Sequence, residues 1–250
     1  MRIKKIIVFL SFIVMIVVNA LAVLLPLNDK TTKELSDAIQ IYFVPEGYVF
    51  SIWSLIYVAL LGYAVYQLLP KNADKKKLQS IGWLFTMNAL ANAGWIFLWH
   101  YEYVATSVLL MLVILTTLIA MYLKLGIGRT KVRGAEYWMS HFPISLYLGW
   151  ISVATIANIA GALTVHEWGA WGIAPQTWAA VMIGVAGVLA LTMLMRHKDY
   201  TYALVIIWAL IGIALKFQAE PTVLWTAVVV IGVVVLGGVV ALLGVGRKRS

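Results

Sequence analysis

Residues 104–123 read VATSVLLMLVILTTLIAMYL, twenty positions without one charged side chain. A helix rises about 1.5 Å per residue, so twenty residues cover the roughly 30 Å of hydrocarbon in a bilayer. A run of this length reads as a transmembrane helix. The same reading extends in both directions. Further apolar runs lie at about 4–26, 48–69, 78–99, 137–163, 176–195, 200–216 and 222–244, with 200–216 the shortest. Ten-residue alternation of the kind that marks barrel strands is absent. Backbone groups in lipid must be satisfied within the segment, which leaves helices. The predicted fold class is all-α, a polytopic transmembrane bundle of about eight helices.

Composition agrees. Of 250 residues, 63% are hydrophobic and 12% are charged, about half the charge a soluble domain carries. With no cysteine, disulfides, thiolate metal sites and cysteine nucleophiles are excluded. The net charge of +9 is explained by its placement. With the N-terminus set in the cytoplasm, alternation puts Arg2, Lys4, Lys5, Lys71, Lys75, Lys76, Lys77, Lys124, Arg129, Lys131, Arg133, Arg196, Lys198, Arg247, Lys248 and Arg249 inside. Only Lys30, Lys33 and Lys216 fall outside, together with most of the acids. The positive-inside rule is obeyed at every loop. Both termini are therefore predicted to be cytoplasmic. The expected location is a cell membrane crossed many times, bacterial plasma membrane by type, with membrane lipid as a partner and no nucleic acid.

The N-terminus admits two readings. A basic start, an apolar stretch and Ala20-Leu21-Ala22 resemble a cleavable signal. The apolar stretch continues to Leu25, longer than a signal core, which favours a retained helix.

No Asp, Glu, Lys or Arg falls in the middle of a predicted helix. Pumps and voltage sensors place ionisable groups there, so ion coupling is disfavoured. A carrier of neutral molecules remains open. What the helices do hold is aromatic rings and amides. Phe50, Trp53, Tyr57, Tyr63, Tyr66 and Gln67 lie on the second run. Asn88, Asn92, Trp95 and Trp99 make one stripe on the third. Tyr147, Trp150, Ala154 and Asn158 make another on the fifth. Each has an ordinary reading. Trp99, Tyr101, Tyr103, Trp168 and Trp171 suit an interfacial belt, and buried asparagines commonly tie helices together. If the stripes converge, indole walls with amide donors suit a flat apolar ligand with polar edges. His100 with Glu102, and His166 with Glu167, sit at the outer ends and are read as solvated. His141 and His197 are placed near headgroups. Gly232, Gly237 and Gly238 give the last run a small-residue face for close packing, which admits a homodimer. No phosphate loop, zincin motif or nucleophile elbow is present.

The stretch 43–57, FVPEGYVFSIWSLIY, continued by GYAVY at 62–66, resembles the start of the second helix in the TspO/MBR family, the tryptophan-rich sensory or translocator proteins. The family's third-helix Asn-x-x-Trp motif matches Asn92 and Trp95. Its fifth-helix Trp-x-x-x-Ala-x-x-x-Asn pattern matches Trp150, Ala154 and Asn158. Glu46 stands at the family's second proline. Pro143 lies three residues before the expected fifth-helix proline, whose place Leu146 takes. The Tyr and Arg of the sterol-recognition motif are absent after Asn158. The resemblance covers about residues 5–165.

It implies a five-helix bundle over 1–165, with a pocket opening toward the first loop, and three additional transmembrane helices over 166–250 of unassigned role. It implies a porphyrin-type or other tetrapyrrole ligand, or a similar flat apolar small molecule, and no required cofactor. The implied ligand-binding residues are Trp53, Tyr57, Asn92, Trp95, Trp150, Ala154 and Asn158. A sensory or regulatory binding role is expected. A transporter of amphipathic molecules and a porphyrin-degrading enzyme using Trp53 or Trp150 are the alternatives. No metal ligands and no acid–base catalytic set are assigned.

Overall fold

The computed structural model describes residues 2–25, 27–30 and 32–243, and Arg247, Lys248 and Arg249 lie outside the described residues. Ten α-helices run along the described chain: α1 (Arg2–Leu24), α2 (Thr32–Ala38), α3 (Ile52–Tyr66), α4 (Lys76–Ser80), α5 (Gly82–His100), α6 (Val104–Leu125), α7 (Phe142–Val165), α8 (Pro175–Thr192), α9 (Tyr200–Lys216) and α10 (Pro221–Leu243). Eight coincide with the predicted apolar runs. The other two, α2 and α4, are short turns inside the connecting segments. No β-strand occurs among the described residues.

Among the described residues, six segments are long and apolar enough to cross a membrane: Ile3–Leu24, Gly47–Tyr66, Val104–Leu125, Tyr137–Val165, Pro175–His197 and Pro221–Leu243. The two remaining predicted spans differ from these for separate reasons. Asn88, Asn92 and His100 interrupt the apolar character of α5. α9 is apolar but has only 17 residues, about 25 Å of helix.

Local chemistry sets the ends. Gly126 takes a left-handed conformation (φ 71°) that closes α6, and its N–H returns to the Tyr122 and Leu123 carbonyls. Pro175 sits in the first turn of α8, where a missing N–H is harmless, and Pro143 directly follows the π-helical turn that leads into α7. Asp199 caps α9 by accepting from the Tyr202 N–H at 3.0 Å. Single π-helical turns precede α7 (Tyr137–His141) and follow α8 (Met193–His197).

Helix α5 packs between α1 and α6, α6 against α7, and α7 against α9, while α10 closes on α8 and α9; α3 bridges α1 and α7. Buried residues from α1 through α10 form one continuous apolar cluster. Large apolar side chains such as Leu109, Val58, Val188 and Leu236 are exposed around the outside, as a lipid-facing surface requires. Gly237 of the last helix meets Leu191 of α8, whereas Gly232 faces open space.

The registers are informative. Lys4 Nζ donates to the Gln79 carbonyl at 2.7 Å, and Asn28 Nδ2 donates to the His100 carbonyl at 3.1 Å. Thus α5 runs parallel to α1 along its whole length. Ser145 Oγ lies 2.5 and 2.6 Å from the two Asp199 oxygens at one end of the α7–α9 pair. At the opposite end of α9, Lys216 Nζ donates to Asp37 at 2.7 Å.

Candidate functional site

Two polar networks hold the helices that carry the aromatic stripes. The first is a chain across four helices. The Tyr57 hydroxyl donates to Asn19 Oδ1 at 2.7 Å, and Asn19 Nδ2 donates to Asn92 Oδ1 at 2.7 Å. Asn92 Nδ2 then donates to the Tyr147 hydroxyl at 2.8 Å. The second ties α5, α6 and α7. Trp95 Nε1 donates to Asn158 Oδ1 at 3.0 Å, and Asn158 Nδ2 donates to Ser107 Oγ at 2.9 Å. Asn88 donates to the Ile114 carbonyl and to Thr117 Oγ1. The interior amides are therefore engaged in holding helices together.

Above these networks the rings converge. Trp53 stacks on Tyr57 with centroids 5.4 Å apart and meets Trp150 edge-on at 6.1 Å. Phe50 also meets Trp150 edge-on, at 5.7 Å. Trp95 and Trp99 stack at 5.4 Å. Between Trp95 and Trp99 on α5 and Trp150, Ala154 and Asn158 on α7 lies a cavity of about 60 Å³. Its roof is the segment from Ser36 to Pro45, which contributes Ile39, Ile41 and Val44.

Two of the residues that line the cavity carry donors without a partner among the described residues. The indole N–H groups of Trp99 and Trp150 are buried and have no hydrogen-bond partner among the described residues. A buried donor left unsatisfied costs about 1–3 kcal/mol, so the walls favour a guest with acceptor atoms.

The roof is fastened mainly by the C-terminal helices. Asp37 is held by Lys216 of α9. Tyr42 accepts from Gln176 Nε2 of α8 at 3.2 Å and packs on Phe217 at 5.2 Å. The Glu46 N–H donates to the Gly212 carbonyl of α9 at 3.2 Å. The Val49 carbonyl accepts from Trp208 Nε1 at 3.1 Å. A β-carbon on Gly212 would lie 2.3 Å from Val49 Cγ2, so only glycine allows this approach. Position 46 also gains a meaning: a second proline there would have no N–H to give.

Of the seven residues expected to bind ligand, Trp95, Trp150, Ala154 and Asn158 line this cavity. Trp53 packs against Trp150, Tyr57 stacks on Trp53, and Asn92 sits in the network linking α1, α3, α5 and α7. Several placements differ from the sequence reading. Trp99 is a buried cavity wall and not a belt residue, because its stacking on Trp95 turns it inward. Tyr101, Tyr103, Trp168 and Trp171 are exposed as expected. His100 is fully buried, with Nδ1 2.8 Å from the Ile96 carbonyl, and is not solvated. Its neighbour Glu102 pairs with Lys30. His141 is buried among protein side chains within the π-helical turn. Asn19, Ser107 and the roof residues Ile39 and Ile41 went unrecognised in the sequence, whereas Tyr147 already stood on the stripe of the fifth run. Asn19 did carry a signal, as an amide well inside the first apolar run.

Fold and site together define a multi-pass helical membrane protein with an aromatic cavity beneath a largely non-helical roof. The chain belongs to the TSPO-like protein family, whose sequence model matches residues 5–240. The match takes in the last three helices as well as the first five. No curated protein and no solved structure matches the chain.

Proposed function

We propose that this TSPO-like protein binds a flat, largely apolar ligand with acceptor atoms at its edge, a tetrapyrrole in class, under the 36–45 roof. One observation carries the reading. Two buried indole donors without partners, Trp99 and Trp150, belong to the walls of one cavity. The ring stack supplies apolar contact, and the donors supply orientation. The cavity is well below the roughly 300–1,000 Å³ of sites that bury a drug-sized ligand, so binding requires the roof to lift. Residues 1–165 then form the binding bundle, and 166–250 supply the latch that holds the roof through α8 and α9. The role is binding and sensing, a reading supported by the sequence placing no Asp, Glu, Lys or Arg in the middle of a long helix.

In this reading all eight long helices cross a cell membrane, with both termini in the cytoplasm. The contacts at both ends of the α1–α5 pair, and the Ser145–Asp199 contact that joins the starts of α7 and α9, support it. So does the charge pattern, which puts the roof on the outer side.

The test is a tryptophan-fluorescence titration with protoporphyrin on the purified protein beside Trp150→Phe and Trp99→Phe. One lost hydrogen bond is worth about 1 kcal/mol, or roughly fivefold in Kd. Saturable quenching that weakens by this amount in either variant is expected. Linear quenching identical in all three proteins would refute the reading.

A further inference from the structure

A second and larger cavity lies on the other side of the roof segment. It has a volume of about 420 Å³ and is walled by residues 40–43, the outer half of α7 and the start of α8. This volume falls within the roughly 300–1,000 Å³ band of small-molecule sites. It exists because α7 and α8 diverge from their connection, with most α8 contacts going to α10 instead.

Its chemistry is distinctive. Ile156, Ile159, Leu163 and Met182 give it aliphatic walls, and Trp168 and Trp178 close one end with ring centroids 5.5 Å apart. No Asp, Glu, Lys, Arg or His lines it; Gln40, Thr164 and the Tyr42 hydroxyl bring its side-chain polarity. Ile159 and Leu163 are each more than a third exposed and lie in an apolar span. The cleft therefore opens sideways, toward lipid.

The two cavities are neighbours on one helix. Trp150, Ala154 and Asn158 of α7 face the inner one, while Ile156, Ile159 and Ala160 face the outer one. Ile41 lines both. It belongs to a stretch without regular helix, so no helical ladder of backbone hydrogen bonds has to break for it to shift.

We propose that the α7–α8 cleft is a second binding site, a vestibule that takes the flat apolar ligand from the bilayer and passes it to the inner cavity past Ile41. This rests on the inner-cavity function proposed above. The ligand's ring meets Trp168 and Trp178 first. Displacement of Ile41 then merges the two spaces into one large enough for a tetrapyrrole. Access from the membrane needs no opening toward water, which suits a ligand that partitions into lipid.

The experiment is stopped-flow tryptophan quenching by protoporphyrin in proteoliposomes, with equilibrium titrations on the same samples. Ala160→Phe fills the cleft from within, and Ile159→Trp narrows its mouth. Melting temperatures confirm that each variant is folded, and two variants guard against the failure of one. Expected is a roughly fivefold or greater slowing of association in either folded variant, with equilibrium affinity for the inner cavity changed far less. Unchanged association in both, while Trp150→Phe still weakens binding, would overturn the vestibule and leave the inner site standing. No effect of Trp150→Phe, Trp99→Phe or the cleft variants would overturn both.

Discussion

The Glu46 N–H donates to the Gly212 carbonyl at 3.2 Å, joining the turn that begins α3 to the middle of a helix far along the chain. The turn carries the family motif, and the helix belongs to the C-terminal third. The contact makes α9 part of the site's support. Gly212→Val is expected to destabilise the protein by about 1–3 kcal/mol, the usual cost of overpacking, because a β-carbon there would overlap Val49. Glu46→Pro, which restores the family's usual residue, should cost about 1 kcal/mol through the lost donor. Thermal unfolding in detergent measures both. Wild-type stability in Gly212→Val would mean that α9 does not press on the turn.

The chain from Tyr57 through Asn19 and Asn92 to Tyr147 ties α3, α1, α5 and α7 together. Interhelical hydrogen bonds in membranes are worth about 2 kcal/mol or less each. A double-mutant cycle of Asn19→Leu and Asn92→Leu should show a coupling of about 0.5–2 kcal/mol. Strict additivity would show that the two amides act independently. The same residue bears on the N-terminus, since cleavage after Ala22 would remove Asn19 from the network.

What could be read from the sequence follows the range of each interaction. The long helices were legible because a bilayer demands some twenty apolar residues in a row. The Trp150–Ala154–Asn158 and Asn92–Trp95 stripes were legible because i, i+3 and i+4 neighbours share a face. Which way a stripe turns is set by its partners, and that information is not local. Trp99 continued the stripe yet looked like a belt residue, since its place near the helix end suits either role. The roof residues Ile39, Ile41 and Val44 follow no period. The α9 contacts on Glu46 and Val49 join positions about 160 residues apart, beyond any motif's reach.

The roof latch gives a kinetic expectation. Lys216 holds Asp37 at the C-terminal end of α9. Lys216→Met loosens the roof, so association and dissociation of protoporphyrin should both quicken, with Kd moving less than either rate. Stopped-flow quenching reads both. Unchanged rates would show that the roof does not move during binding.

At the opposite end, Lys75 donates to Glu136 at 2.5 Å and to the Tyr66 hydroxyl at 2.9 Å. The hydrogen bond to Glu136, followed by that to Tyr66, raises the Lys75 pKa above its ordinary value. A raised value means that this stabilisation is fully present below the ordinary lysine pKa. It fades as pH climbs through the folded-state value. The side chain is about one-third exposed, so the pair is worth about 1 kcal/mol or less. Lys75→Met should therefore lower stability slightly, by an amount that shrinks as pH rises above the ordinary lysine range. Melting curves at neutral and strongly alkaline pH check this. A difference that grew with alkalinity would contradict the assignment.

The central claim is that ligand acceptors meet the indole donors under the roof. The most direct measurement is the ¹H–¹⁵N spectrum of indole-labelled protein, titrated with protoporphyrin, with Trp99 and Trp150 assigned through their Phe variants. Saturable shifts of these two N–H resonances are expected, larger than those of exposed Trp171 and Trp225. Shifts confined to the exposed indoles, with Trp99 and Trp150 unmoved at saturation, would contradict it.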